Sequence, residues 1–134
     1  MTSTPTPLRL LVVDDDEVDR EQTLRLLGRC GLDAHLTEAP DAASALALCK
    51  QDGFDCVLLD YHLPDMEQLD LVAKINDETT AVMVLTGHGG YAIANEARAL
   101  GVKTVLSKDS LDPRDLRQAI VDAIKNLRSQ SYLV

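Results

Sequence analysis

Five polar residues, from four separate places in the sequence, have the side chains from which a phosphoryl-binding site can be built. They are three carboxylates, one hydroxyl group and one ammonium group: Asp14, Asp15, Asp60, Thr86 and Lys108. Three carboxylates brought close together repel one another and need a compensating cation to stay ionised at neutral pH. Because oxygen ligands favour a hard ion, and Mg²⁺ is commonly held by a few carboxylates with water, the set predicts a magnesium site.

The same set could also support phosphoryl transfer. Beside a bound cation, one of the carboxylates can act as a nucleophile towards a phosphoryl group. The transferred PO₃ group carries charge on three oxygen atoms, which Mg²⁺, the Lys108 ammonium group and the Thr86 hydroxyl group could each stabilise. Residue types alone leave open which carboxylate attacks. Asp14 and Asp15 could instead form a capped turn, which is a common role for Asp.

Five short runs, most of them apolar, predict the strands that would position these side chains. The runs cover residues 8–13, 34–38, 56–60, 81–85 and 104–107. The run that ends at Asp60 is apolar at every earlier position, as expected of a strand buried on both faces. Pro64 cannot extend a ladder of hydrogen bonds, so a loop is expected soon after Asp60.

Helical spacing of apolar residues predicts five helices between and after these strands. Four cover residues 18–30, 42–51, 66–76 and 91–100, and the last starts at residue 113. Gly31 is the expected stop of the first helix, and Asp41 is the expected N-cap of the second. Asp112 and Pro113 together form the clearest start signal, because Pro is favoured at the first helical position.

Strands and helices that alternate at this close spacing form right-handed crossovers, which build a parallel sheet covered on both faces. The sequence therefore predicts an α/β fold: a single doubly wound, flavodoxin-like (βα)5 domain whose five-stranded parallel sheet has the order 2-1-3-4-5. The carboxyl ends of all strands would then lie at one edge, where the five candidate residues would meet. The predicted domain covers residues 8–128, between a flexible lead over 1–7 and a tail over 129–134.

Composition narrows the possible functions. The chain has 134 residues, of which 46% are hydrophobic, which is enough for one core. A net charge of −9 argues against direct binding to nucleic acid, since that requires Lys and Arg to neutralise phosphates. The three cysteines lack the Cys-x-x-Cys spacing of a zinc site, and no apolar run is long enough to span a membrane. We therefore expect a cytoplasmic protein that contacts neither nucleic acid nor membrane.

Four motifs at the ends of the predicted strands resemble the signatures of response-regulator receiver domains from two-component signalling. They are Val-Val-Asp-Asp-Asp at 12–16, Leu-Asp-Tyr-His-Leu-Pro-Asp at 59–65, Leu-Thr-Gly at 85–87 and Ser-Lys at 107–108. The resemblance extends over residues 8–127 and includes the order and spacing of the motifs. It implies that Asp60 accepts a phosphoryl group from a histidine kinase or a histidine phosphotransfer protein.

The resemblance also implies roles for the other candidate residues. Mg²⁺, or alternatively Mn²⁺, would have four ligands: Asp15, Asp60, the backbone carbonyl group of His62 and, through water, Asp14. Thr86 and Lys108 would sense the phosphoryl group and couple it to an output surface. Such a domain is a signalling module and not an enzyme, because it catalyses only its own phosphoryl transfer and dephosphorylation.

Three positions depart from the usual pattern of the family. Gln68 stands where Gly is usual, and Asp109 follows the lysine where Pro is frequent. Val105 replaces an aromatic residue that usually moves between an exposed and a buried position. Because a valine side chain has few rotamers and little reach, we expect the signal to pass mainly through Thr86 and the loop 87–90.

By the same resemblance, an output protein or an attached output domain would bind the surface formed by the fourth predicted helix, the fifth strand and the fifth helix. This surface is called the output face below. Its exposed candidates are Ala94, Arg98, Lys103, Val105, Arg114 and Arg117. The fifth strand would lie at the edge of the sheet, free for a partner or a second copy, so we expect a monomer or a weak homodimer.

Two other functions compete with this interpretation. The segment 12–18 also resembles the start of haloacid-dehalogenase-type phosphatases, in which Asp14 would be the nucleophile and Asp16 the general acid. That family would leave Asp60 without a role, and no paired aspartates follow Lys108. The other hypothesis is an interaction module that is not phosphorylated, against which the presence of all five candidate residues argues.

His62 and His88 are interpreted, by the resemblance to receiver domains, as loop residues that flank the site and tune hydrolysis.

Overall fold

The computed structural model describes residues 7–60, 68–75, 79–87, 95–96, 98–99, 102 and 104–131. Five strands form a single parallel sheet: β1 (Leu8–Val13), β2 (Ala34–Ala39), β3 (Cys56–Asp60), β4 (Ala81–Thr86) and β5 (Thr104–Ser107). The strand order is β2-β1-β3-β4-β5, as predicted. All five predicted strands are therefore confirmed, and β2 and β5 are the edge strands.

Helices flank this sheet. Those with assigned bounds are α1 (Glu17–Arg29), α2 (Ala42–Gln51), α3 (Gln68–Ile75) and the C-terminal helix α4 (Pro113–Ser131). A 3₁₀ turn, Lys108–Ser110, follows β5. Four described residues of the helix predicted over 91–100 are also helical, namely Asn95, Glu96, Arg98 and Ala99. The rest of that helix lies outside the described residues.

Side-chain caps fix where three of the helices begin. The Asp16 carboxylate accepts hydrogen bonds from the backbone N–H groups of Val18 and Asp19, so α1 begins one residue before its predicted start. Asp41 caps α2, and the Asp112 carboxylate accepts a 2.9 Å hydrogen bond from a backbone N–H group in the first turn of α4. These last two caps confirm the predictions from sequence.

Gly31 ends the turn after α1 in the left-handed region, with a φ of +79°, which confirms its predicted role. A Cβ atom at this position would lie 3.3 Å from Nη1 of Arg117 on α4. Arg117 is exposed, as predicted for the output face, but its guanidinium group reaches the C-terminal end of α1. The sequence did not indicate this contact.

Two apolar cores cover the two faces of the sheet. In β3, Val57 and Leu59 face the core that includes α2 and α3, whereas Cys56 and Leu58 face the core that includes α1 and α4. The same alternation holds along β1 and β4, because successive side chains of a strand point to opposite faces. Every residue of β3 and β4 is buried, as expected for central strands of a doubly wound sheet.

The parallel arrangement brings the candidate residues to one edge of the sheet. Asp14 directly follows β1, Asp60 and Thr86 are the last residues of β3 and β4, and Lys108 directly follows β5. Helices long and apolar enough to cross a membrane are not found among the described residues. The fold thus places the chemistry at the carboxyl ends of the strands, where open α/β sheets bind ligands.

Candidate functional site

The Lys108 ammonium group lies at the centre of the candidate site. Its Nζ atom is 2.8 Å from Asp60 Oδ1 and 3.0 Å from Asp14 Oδ2. The Asp60 and Asp14 side chains are only 8% and 3% exposed, whereas that of Lys108 is 20% exposed. The structure therefore brings together the ends of β1, β3 and β5, as the sequence predicted.

Both aspartates affect the protonation of Lys108. Burial disfavours its charged form, but hydrogen bonds and charge from Asp60 and Asp14 favour that form more strongly, and the pKa of Lys108 is raised. The group therefore carries a full positive charge at neutral pH. It supplies a fixed cation beside the Asp60 carboxylate.

Asp14, Asp15 and Asp60 could together hold a metal ion. One carboxylate oxygen from each lies within 4.8 Å of the others. Asp15 is exposed, whereas the other two are buried. The three carboxylates outnumber the Lys108 ammonium group, so an excess of negative charge remains. A divalent cation would offset part of that excess, and an all-oxygen donor set suits a hard ion.

Arg20 and Glu38, which the sequence analysis did not select, hold the Asp14 segment in place. Arg20 Nη1 donates a 2.7 Å hydrogen bond to the backbone carbonyl oxygen of Asp14. Arg20 Nε donates a 3.0 Å hydrogen bond to Glu38 Oε1 on β2. Within the segment, Asp14 Oδ1 accepts a 2.9 Å hydrogen bond from the backbone N–H group of Asp16. These contacts fix both the backbone and the carboxylate of Asp14.

Asp19 also contacts the site, and the sequence analysis missed it. Its Oδ2 atom lies 3.5 Å from Lys108 Nζ. Asp19 is in the first turn of α1, where an acidic residue is common because of the helix dipole. Because the helix dipole is enough to explain an acidic residue here, no feature of the sequence indicated a contact with Lys108, which is 89 positions later.

Thr86 is 2% exposed at the end of β4. The preceding residue, Leu85, is in register with Asp60 on β3, and Thr86 itself is in register with Ser107 on β5. Thr86 thus lies between the strands that carry Asp60 and Lys108. His62 and His88, the other residues predicted to flank the site, lie outside the described residues, as do residues 88–90 of the segment 87–90.

The output face is only partly described. Val105 is half-buried and packs against the core on the α2 and α3 side, so it is less exposed than predicted. The cause is its place in β5, whose side chains point alternately to the two cores, Val105 to this one and Leu106 to the other. Arg98 and Arg114 are exposed, as predicted. Ala94 and Lys103 lie outside the described residues.

A family model described as "Response regulator receiver domain" matches residues 10–121. The chain belongs to this family. The match covers all of β2 to β5, β1 from Leu10 onwards, and the five residues Asp14, Asp15, Asp60, Thr86 and Lys108. This receiver domain is therefore a signalling module of two-component regulatory systems, and its fold is the one expected for the family.

Relatives and solved structures agree with this membership. The chain is 37% identical over 119 residues to the sensor histidine kinase AruS of Pseudomonas aeruginosa, covering 84% of this chain and 12% of that protein. It is 34% identical over 106 residues to the transcriptional regulatory protein FixJ of Azorhizobium caulinodans, covering 78% and 49%. A LuxR-family two-component response regulator from Aurantimonas sp. superposes with a TM-score of 0.80 at 31% identity, covering 90% and 87%. The chain thus spans half or less of the two curated relatives named here.

The geometry does not favour the phosphatase hypothesis. Asp16 Oδ1 accepts hydrogen bonds of 2.9 and 3.0 Å from the backbone N–H groups of Val18 and Asp19. The Asp16 carboxylate is thus engaged as the N-cap of α1, which is a structural role. Asp60, which that family would leave without a role, is instead in direct contact with Lys108.

Proposed function

We propose that Asp60 is the phosphoryl acceptor of this receiver domain and that a histidine kinase or a histidine phosphotransfer protein is the donor. The observation that supports this most directly is the 2.8 Å contact between the Asp60 carboxylate and the Lys108 ammonium group at the carboxyl end of the central strand. A carboxylate in this position is a nucleophile whose product has a counter-charge already beside it.

The transfer is a substitution at phosphorus. A carboxylate oxygen of Asp60 forms a bond to the phosphorus atom while the bond from phosphorus to the donor nitrogen breaks. The donor imidazole keeps the electron pair of that bond. Lys108 stabilises the negative charge on one phosphoryl oxygen, and the Thr86 hydroxyl group donates a hydrogen bond to another. Hydrolysis of the aspartyl phosphate by water returns the Asp60 carboxylate and inorganic phosphate.

The donor set of the site fits Mg²⁺, with Mn²⁺ as a substitute. Asp15 and Asp60 would bind it directly, together with the backbone carbonyl group of His62, and Asp14 would act through water. When bound, the ion supplies positive charge that offsets the charge of the phosphoryl oxygens. Lys108 already neutralises part of the acidic cluster, and the ion and the lysine would share two carboxylates, Asp14 and Asp60.

We further propose that phosphorylation is read on the output face by an output protein or by an attached output domain. Because Val105 is half-buried and cannot replace an aromatic switch, Thr86 carries the signal from Asp60 to the loop that follows β4. The domain acts as a monomer or a weak homodimer and catalyses only its own phosphoryl transfer and dephosphorylation. We place its limits at residues 8–128.

A cytoplasmic location is part of the proposal. None of the three cysteines, all of which are in the described part of the chain, takes part in a disulfide. Reduced thiols are typical of reducing compartments.

Mapping the phosphorylated residue tests the proposal. The domain is incubated with acetyl phosphate and Mg²⁺, the acyl phosphate is trapped by borohydride reduction, and the modified position is located by mass spectrometry. We expect modification of Asp60 and no labelling of Asp60→Asn, which keeps the shape of the side chain but lacks the attacking oxygen. Asp16→Asn is the control, because it should be labelled like the wild type. Labelling of Asp14, or retained labelling of Asp60→Asn, would overturn the assignment.

A further inference from the structure

The contact between Asp19 and Lys108 has a consequence for phosphorylation at Asp60. Lys108 Nζ is 2.8 Å from Asp60, 3.0 Å from Asp14 and 3.5 Å from Asp19, so three carboxylates share one ammonium group. Asp14 and Asp60 are buried, but the Asp19 side chain is 47% exposed. Asp19 is therefore the most exposed of the three carboxylates that contact Lys108.

The backbone of Asp19 is fixed on both sides. Its N–H group donates a 3.0 Å hydrogen bond to Asp16 Oδ1, and its carbonyl oxygen accepts a 3.2 Å hydrogen bond from Thr23 Oγ1. The cap and the threonine lock the first turn of α1, so the carboxylate of residue 19 projects from a rigid position. Asp19 therefore belongs to a regular element and not to a loop.

We propose that Asp19 is a positioning residue for Lys108 that restrains phosphorylation at Asp60. This inference rests on the proposed function of Asp60. Two effects act in the same direction. Asp19 competes with the phosphoryl oxygens for the Lys108 ammonium group, and its own negative charge repels an anionic phosphoryl group. Removal of the Asp19 charge should therefore favour the phosphorylated state of the domain.

The equilibrium binding of beryllofluoride, an anionic mimic of the phosphoryl group, measures this effect directly. The titration is carried out in saturating Mg²⁺ and followed by amide chemical shifts of the ¹⁵N-labelled domain. We expect Asp19→Asn to bind beryllofluoride about two- to fivefold more tightly than the wild type, as expected for the loss of one half-exposed charge. The gain should shrink in 1 M NaCl, where exposed charges are screened.

Two further variants separate positioning from a general effect of charge or stability. Glu17→Gln removes a carboxylate from the same first turn of α1 and should bind like the wild type. Asp19→Glu restores the charge and should return the affinity towards that of the wild type. A wild-type affinity in Asp19→Asn, or an equal gain in Glu17→Gln, would overturn the inference while leaving the role of Asp60 intact. If the wild-type domain itself fails to bind beryllofluoride, the proposed function fails, and the role of Asp19 fails with it.

Discussion

Charged side chains of the same kinds have different roles at the two ends of the strands. These ends are called the amino edge and the carboxyl edge of the sheet below. At the amino edge, where the strands begin, Arg9 Nη2 lies 3.4 Å from Asp52 Oδ1, and both side chains are nearly half-exposed. Asp55 Oδ2 accepts a 2.9 Å hydrogen bond from the backbone N–H group of Arg9. Each carboxylate here has a partner of its own, and water screens the ion pair.

At the carboxyl edge, several carboxylates share a single ammonium group. Lys108 faces Asp14, Asp60 and Asp19, and Asp15 lies within reach of a shared metal ion. Two of these carboxylates are almost fully buried, where the interaction between charges is stronger than in water. The comparison shows that burial of the carboxylates, and their sharing of one ammonium group, separate a chemical site from a structural ion pair. The residue types themselves do not.

Among substitutions at the two edges, removal of the Lys108 side chain should lower the free energy of unfolding most. Lys108→Ala leaves the buried Asp14 and Asp60 carboxylates without their shared cation, so we expect the free energy of unfolding to fall by about 2 kcal/mol without metal. Mg²⁺ should recover part of this loss, because it no longer competes with the ammonium group. Urea unfolding with EDTA and with Mg²⁺ measures both quantities. An equal loss under the two conditions would show that the lysine and the ion do not act on the same carboxylates.

The second largest effect should be the loss of stabilisation by Mg²⁺ when Asp15, the exposed proposed ligand, is substituted. Mg²⁺ at ten times its Kd should stabilise the wild-type domain by about 1.4 kcal/mol, by mass action at a single site. Asp15→Asn removes a proposed ligand that is exposed and should lose most of this gain with little change in stability in EDTA. Thermal melting over a Mg²⁺ titration gives both numbers. A response to Mg²⁺ that is unchanged in Asp15→Asn would place the ion elsewhere.

A substitution at the amino edge should be costly for a different reason. Gly31→Ala places a side chain at a φ of +79° and against the Arg117 guanidinium group, so we expect a loss of about 1 kcal/mol. Because the cause is backbone strain, the loss should be the same with and without Mg²⁺. Dependence of this loss on Mg²⁺ would mean that the two edges are coupled.

The smallest effect should be that of Arg9→Ala. It removes the ion pair with Asp52 and the contact of the guanidinium carbon with the Phe54 ring, at 5.6 Å from the ring centroid. Exposed ion pairs and cation–π contacts each contribute under about 1 kcal/mol, so the loss should stay near or below that value. Beryllofluoride binding should not change. If Arg9→Ala lowered the free energy of unfolding as much as Lys108→Ala, the ion pairs at the two edges would not differ in strength.

Much of the fold could be predicted because local signals and global topology agree. β1, α2 and β5 have the predicted bounds, and Asp41 and Asp112 are the predicted caps. Alternation of strands and helices requires parallel pairing, and parallel pairing brings the ends of β1, β3 and β5 together. The proximity of Asp14, Asp60 and Lys108 therefore followed from the order of elements alone.

The contacts that were missed all involve side chains that reach between elements. Asp19 and Arg20 occupy consecutive positions of α1, one directed to Lys108 and the other to Asp14 and Glu38. Helical spacing shows that both lie near the start of α1, but not how far α1 is rotated relative to the sheet. The partial burial of Val105 has the same origin, since how much of an edge strand a core covers depends on packing between elements.

The alternation of side chains along β3 ties the position of Asp60 to the packing of both cores, because every residue of the strand before it faces one core or the other. Insertion or deletion of one residue within Cys56–Asp60 would exchange the side chains of the two faces and move the carboxylate away from Lys108. A change in length is better accommodated outside the strand, for example in residues 52–55 before it. The reactivity of the site can be adjusted by substitutions around Asp60, while the length of the strand that carries it stays constant.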